Sequence, residues 1–390
     1  MMENLQTLDK TYIAGTYGRF PLNLVSGKGS LVQDDQGREY IDLGSGIAVT
    51  SFGIADDQWA DAVTRQIHTL QHTSNLYYTE PCVLLARKLC EKTGMKKVFF
   101  GNSGAEANEC AIKVARKYAA EKKGTEYSWI ITLKNSFHGR TLTTLAATGQ
   151  DHYHELFQPL TPGFAHAEPG SVEDMERLLT TLPCAGILVE CIQGEGGVSV
   201  MEDDYLQAVE KLAHEHDVLF MVDEVQTGNG RTGEFYAYMH AGLHPDVVST
   251  AKGLGGGLPI GACLIGEKAQ DVLGPGDHGS TFGGNPAACA GALTIVDRVD
   301  ETLLAGVRAK GNQIRRALEG APGVAKVTGR GLMVGIVPEG KTAKEVVSCC
   351  MAHGVLCLTA KDRVRLLPAL NIPEDLLDKA LQVLKAAFAS

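Results

Sequence analysis

Between about residue 95 and residue 295, short β-branched runs alternate with stretches of helical period, and this alternation constrains the fold more than any other feature. The runs KKVFFG (96–101), SWIITLK (128–134), AGILVE (185–190), VLFMVD (218–223) and DVVST (246–250) read as strands. Between them, Ala107, Cys110, Ala111, Val114, Ala115 and Tyr118 fall on one helical face, and DDYLQAVEKLAHEH (203–216) is amphipathic. Such alternation predicts an α/β fold: a mostly parallel sheet with helices on both faces and ligands beyond the carboxyl ends of the strands. After residue 300 the pattern changes to a long charged helix near 301–319, shorter strands and a last helix from Pro373. The expected organisation is an N-terminal segment (1–55) packing with a small domain, a large domain (56–295) and a small C-terminal domain (296–390).

The length of 390 residues suits two or three domains of roughly 150 residues each. Hydrophobic residues make up 44% and charged residues 21%, which excludes a disordered or fibrous chain. A formal charge of −10 without clustered Lys and Arg argues against nucleic acid as a partner, while leaving small anions open to local arginines. The start MMENLQTLDK lacks the basic and apolar regions of a signal peptide, and no long uncharged apolar run occurs, so a cytoplasmic location away from membranes is expected. Ten cysteines lie scattered without a C-x-x-C pair and read as reduced small hydrophobes.

Several stretches fall at expected strand ends. GNSGAEANE (101–109) follows a strand and opens a helix, so the free N–H groups of Gly104 and Ala105 would face an anion, with Ser103 as cap. On its own this is equally an ordinary strand-to-helix turn. Asp223 ends an apolar strand and arrives at the ligand edge, where a carboxylate can hold a positive ligand atom or merely cap a turn. SFHGRTL (136–142) sets an aromatic face, Phe137, beside a planar cation, Arg140. STAKGLGGGLPIGA (249–262) holds one lysine, Lys252, and no carboxylate. An unpaired ammonium in a water-poor setting tends to lose its proton and become a nucleophile. A phosphate cup, a ring-covering aromatic, a carboxylate for a ring nitrogen and a neutral lysine together match the requirements of pyridoxal 5′-phosphate.

FGNSGAEANE, SFHGRTL, ECIQGEGGV, VDEVQTGNGRTG, STAKGLGGGLPIGA, GSTFGGNPAACA and VRLLPAL resemble the class III, or ornithine-type, pyridoxal phosphate aminotransferases from about Gly27 to the C-terminus. SNLYYTEP (74–81), NSGAEANE and the short chain are most similar to the acetylornithine branch, in arginine biosynthesis. The resemblance implies a fold-type I transferase with a seven-stranded, mostly parallel sheet. It implies the transfer of the δ-amino group of N2-acetylornithine to 2-oxoglutarate. The phosphate would rest on Ser103, Gly104 and Ala105, with Phe137 on the ring face. Asp223 would hold the pyridine nitrogen, with Glu224, Val225 and Gln226 beside the ring. Lys252 would be the covalent anchor and the proton shuttle. Thr281 would bind phosphate from a partner subunit, making the enzyme a homodimer. Arg140 would grip a substrate carboxylate, Ser280 would lie near the substrate, and Glu195 would pair with Arg365. That pair would neutralise Arg365 for a donor without a second carboxylate and open for 2-oxoglutarate.

This chain departs from the family where GIADD (53–57) replaces a His-x-His-Pro stretch, Cys191 and Ala369 replace prolines, and Asn229 stands at a usually apolar position. Ornithine, succinylornithine or 4-aminobutyrate remain alternative donors. From another class, GIVPEGKT (335–342) satisfies the G-x-x-x-x-G-K-T pattern of P-loop NTPases, but Ile336, Val337 and Pro338 suit a strand end and EGKT a turn before a helix. HYH (152–154) and HEHD (214–217) read as surface histidines, since His214 and His216 end a helix and no third ligand is spaced with them; no metal is expected.

Overall fold

The computed structural model describes residues 4–390. A seven-stranded sheet runs in the order Lys97–Gly101, Gly261–Ile265, Val247–Thr250, Leu219–Asp223, Cys184–Val189, Trp129–Leu133, Phe164–Ala167. Four pairings are parallel; Gly261–Ile265 alone runs against its two neighbours. All five strands expected from the sequence are present, their ends shifted by a residue. Leu219–Asp223 is buried along its whole length because both faces are covered. Phe220 and Val222 enter one core, while Leu219 and Met221 enter the core on the opposite face. The helix Gly104–Lys122 lays Cys110, Ala111, Val114 and Ala115 onto that second face, as its periodicity predicts.

A separate core is built from the helices Glu301–Leu318, Ala343–Ala352 and Glu374–Ala389 against the antiparallel strands Val324–Arg330, Met333–Pro338, Arg363–Leu366 and Leu358–Ala360. Three strands between residues 24 and 42 extend towards it, since Ile41 pairs in parallel with Val355. GIVPEGKT divides between the end of the strand Met333–Pro338, in which Ile336 pairs with Val327, and a turn before Thr342. Thr342 and Glu345 form a reciprocal capping box on the next helix. The N–H groups of that helix start are thereby engaged by its own side chains.

The ten cysteines are free thiols. His214 closes the helix Asp203–Glu215 and His216 caps it. Among the described residues no cluster of three metal-ligating side chains occurs, and no helix is long and apolar enough to cross a membrane.

Candidate active site

The carboxyl ends of the parallel strands open into a cavity of ≈ 350 Å³, large enough for a small-molecule ligand. Of the residues singled out in the sequence, Ser103, Gly104, Ala105, Phe137, Asp223, Val225, Gln226 and Lys252 line it. Ser103 caps the helix Gly104–Lys122, its hydroxyl accepting from the Glu106 N–H at 3.2 Å. That leaves the first N–H groups of the helix directed at the cavity. Glycine is required at 104 by contact: a Cβ there would lie 2.7 Å from a Val225 methyl.

Asp223 is buried and receives three donors. Asn108 Nδ2 approaches Oδ2 at 2.7 Å, His138 Nδ1 approaches the same oxygen at 2.8 Å, and the Val225 N–H reaches Oδ1 at 2.9 Å. Asn108 is held in turn by the Ser249 hydroxyl at 2.5 Å and donates to the His138 carbonyl. Neither Asn108 nor His138 was picked out from the sequence. Both lie inside the quoted motifs, but their role depends on two chain segments meeting at Asp223. Glu190 was missed for the same reason. It lines the cavity, accepts from the Phe137 N–H at 2.9 Å, and has its carboxyl pushed well up by burial and by the Asp223 charge.

Lys252 follows the strand Val247–Thr250 with φ +45°, an uncommon conformation for a residue with a side chain. Burial lowers its amine pKa, against the opposing pull of Glu195 and Asp223. Proton loss is therefore easier here than in water, which is the behaviour expected of a nucleophile and proton carrier.

Gln226 links this centre to the Glu195–Arg365 pair. Arg365 Nη1 donates to Glu195 Oε1 at 2.5 Å and to Gln226 Oε1 at 3.0 Å, while Gln226 Nε2 donates to Glu195 at 3.3 Å. Burial alone would raise the Glu195 carboxyl, but the Arg365 charge and hydrogen bond bring it below its ordinary range. Ser280 sits one residue beyond the lining: its hydroxyl accepts from Asn102 at 3.2 Å and from the Gly283 N–H at 2.9 Å. Arg140 is exposed on the Phe137 side, and Thr281 is exposed at the surface.

Glu224, expected beside the ring, turns its side chain away from the cavity because it follows Asp223 on an extended chain whose side chains alternate. Its carboxylate accepts from Thr227 at 2.5 Å and from the Tyr238 N–H at 2.9 Å within the core. Asn229 stands at φ +59°, which an asparagine tolerates better than a branched apolar residue, and donates to Thr250 at 3.0 Å.

The family model for Aminotransferase class-III matches residues 12–388. The chain belongs to the class-III aminotransferases. This aminotransferase is 48% identical over 383 residues to the acetylornithine aminotransferase of Haemophilus ducreyi, covering 98% of both chains. It is 46% identical to that of Aquifex aeolicus, over 96% of this chain and 99% of the relative. Its structure superposes on ornithine aminotransferase from Toxoplasma gondii with a TM-score of 0.94 at 33% identity, covering 99% and 94% of the two chains. For acetylornithine aminotransferase from Elizabethkingia anophelis the TM-score is 0.88 at 34% identity, with 98% of each chain covered.

Pyridoxal phosphate is the cofactor of this aminotransferase, and the residues present fit it. The cavity joins a carboxylate for the ring nitrogen, an aromatic face, open helix N–H groups and a lysine amine.

Proposed function

We propose that this aminotransferase moves the δ-amino group of N2-acetyl-L-ornithine to 2-oxoglutarate, giving N-acetyl-L-glutamate 5-semialdehyde and L-glutamate, a step of arginine biosynthesis. The observation that carries this reading is Arg365, buried beside Lys252 and neutralised by Glu195 at 2.5 Å. A donor whose reacting end has no second carboxylate meets a neutral surface. When 2-oxoglutarate enters, its α-carboxylate takes Arg365 and Glu195 leaves. The acetylornithine aminotransferases at 43–48% identity support the donor.

In this reading Gly104 and Ala105 hold the phosphate through backbone N–H groups, and Ser103 fixes their helix end. Phe137 covers the ring, Val225 and Gln226 border it, and Asp223 keeps its nitrogen charged, held in place by Asn108 and His138. When bound, the cofactor supplies an electron sink for the pair left on the substrate carbon. Lys252 would anchor the cofactor, and its amine would carry the proton to and from that carbon. Its depressed basicity favours the neutral form that this needs. Arg140 receives the donor's α-carboxylate, near Ser280.

A homodimer completes the site, with Thr281 reaching the partner's phosphate. Thr281 is exposed, as are Leu76, Tyr77, Tyr78 and Phe282, and Asn75 joins the two segments by donating to the Ser280 and Gly283 carbonyls at 3.0 and 2.9 Å; such apolar side chains suit cover by a partner. The chain divides near residues 55 and 295, a reading supported by the separate cores.

The deciding experiment compares kcat/KM for N2-acetylornithine with values for ornithine, N2-succinylornithine and 4-aminobutyrate. N2-acetylornithine is expected to give the highest value; a preference for free ornithine overturns the assignment.

A further inference from the structure

We propose that Tyr153 is a positioning residue for Arg140, and through it a determinant of how tightly the donor's carboxylate is held. The inference rests on the reading that Arg140 receives that carboxylate. The backbone under Arg140 is fixed. Gly139 stands at φ +144° with no room for a Cβ, which would lie 2.4 Å from the Thr144 hydroxyl, and Thr141 caps the following helix. The arginine side chain itself is exposed, and none of the ion pairs or hydrogen bonds among the described residues engages it. What meets its guanidinium is aromatic: the Tyr153 ring centre lies 4.3 Å from Cζ and the Phe137 ring centre 5.2 Å from it.

Tyr153 is suited to act as a shelf because it is itself held. Its ring stands edge-on to Phe137 at 6.0 Å and 71°, and packs on His152 at 3.9 Å. The turn Asp151–Tyr153 is tied to the Phe137 segment through Gln150, whose side chain donates to the Ser136 carbonyl at 3.0 Å. On the other side, His154 Nε2 contacts the carbonyls of Leu145 and Thr148 at 2.9 and 2.8 Å, at the C-terminal end of the helix Leu142–Ala147 that follows Arg140. A guanidinium resting on a ring keeps its N–H edges free, so it can meet a carboxylate with both while its stem is already ordered. Without the ring, the side chain must be ordered when the donor arrives. The Tyr153 hydroxyl takes no part in this contact, so phenylalanine should serve equally well.

The test uses the holoenzyme and three variants, Tyr153→Leu, Tyr153→Phe and Arg140→Ala. The measurements are kcat and KM for N2-acetylornithine, and the inhibition constant of N-acetyl-1,4-diaminobutane, the same amine without its carboxylate. Tyr153→Leu should raise KM about three- to tenfold with a smaller loss in kcat, in line with a cation–π contact at a partly exposed site. Tyr153→Phe should match the parent, and the inhibition constant should stay within about twofold in both, since no carboxylate is involved. If Arg140→Ala raises KM while Tyr153→Leu does not, the role of Tyr153 falls and the donor reading stands. If Arg140→Ala leaves KM unchanged, the reading of Arg140 falls and takes this inference with it. Equal weakening of donor and inhibitor in Tyr153→Leu, or failure of phenylalanine to replace tyrosine, also overturns the proposal.

Discussion

Replacing Glu195 by glutamine should separate the two half-reactions. Arg365 has a side chain only 4% exposed, and its counter-charge comes from a carboxylate that is 30% exposed. Removing one partner of a fully buried pair costs about 3–5 kcal/mol. Partial exposure of Glu195 lets water replace some of that interaction. The Gln226 contact at 3.0 Å survives, and the new amide still offers a carbonyl. The expected cost to the resting pocket is therefore about 1–2 kcal/mol. A donor without a second carboxylate binds against that unneutralised charge, so its half-reaction should lose about tenfold in kcat/KM. The 2-oxoglutarate half-reaction should gain by a similar factor, because no carboxylate need be displaced before Arg365 is free. Single-turnover absorbance measurements on holoenzyme with each substrate alone give the two constants, whose ratio should move by about a hundredfold. Since Arg365 keeps Glu195 ionised below the ordinary carboxylate range, the effect should persist across neutral and mildly acidic pH. Equal losses in both half-reactions would show that the pair only supports structure.

Further expectations can be checked in the same way. Lys252→Ala should still take up the cofactor but lose it on dialysis and fail to turn over. Mass spectrometry should find a borohydride-fixed adduct on the 249–262 peptide of the parent alone, and parent-like activity in the variant would remove Lys252 from the reaction. Asn108→Leu strips a donor from both Asp223 and the His138 carbonyl; titration of the apoenzyme should show cofactor affinity reduced by about tenfold, as for loss of a hydrogen bond to a buried charge. Burial pushes the Glu224 carboxyl up to about 7 from 4.5, so between those values the folded chain holds a proton that the unfolded chain has lost. Stability should consequently fall as pH rises through that window, by about 3 kcal/mol, and thermal melting of Glu224→Gln should show a flatter dependence. An unchanged slope would mean that Glu224 does not carry that proton.

The sheet was legible because its strands are apolar runs that alternate with amphipathic helices, and a run such as VLFMVD has few other ways to be buried. Asp223 and Lys252 were legible for a related reason: each follows such a run, and a strand end in an α/β sheet is where ligands bind. Asn108 and His138 were not, since each becomes part of the site only when the helix after the Lys97–Gly101 strand and the loop after the Trp129–Leu133 strand meet at one carboxylate. Tyr153 escaped notice because HYH attracts attention for its histidines, whereas the tyrosine between them meets Arg140.

The ionisation of the site's acids lies further still from the sequence, because it is set by donors that the fold brings to them. Glu190, Glu195, Asp223 and Glu224 all lie at or near the ends of two adjacent strands, and composition alone would count four equivalent negative charges. The fold makes them unlike. Glu190 accepts from the Phe137 N–H at 2.9 Å and has only a longer contact to Gly194 at 3.4 Å, so burial dominates and its proton is retained well above the ordinary range. Glu224 is buried too, with better hydrogen bonds, and its carboxyl is pushed up to about 7. Glu195 has a guanidinium at 2.5 Å and falls. Glu195 spends its charge on Arg365, and for Lys252 the effect of burial outweighs the pull of the acids around it. An amine nucleophile can thus sit near four acids in a chain of net charge −10: Arg365 answers Glu195, three donors meet Asp223, and burial raises Glu190 and Glu224.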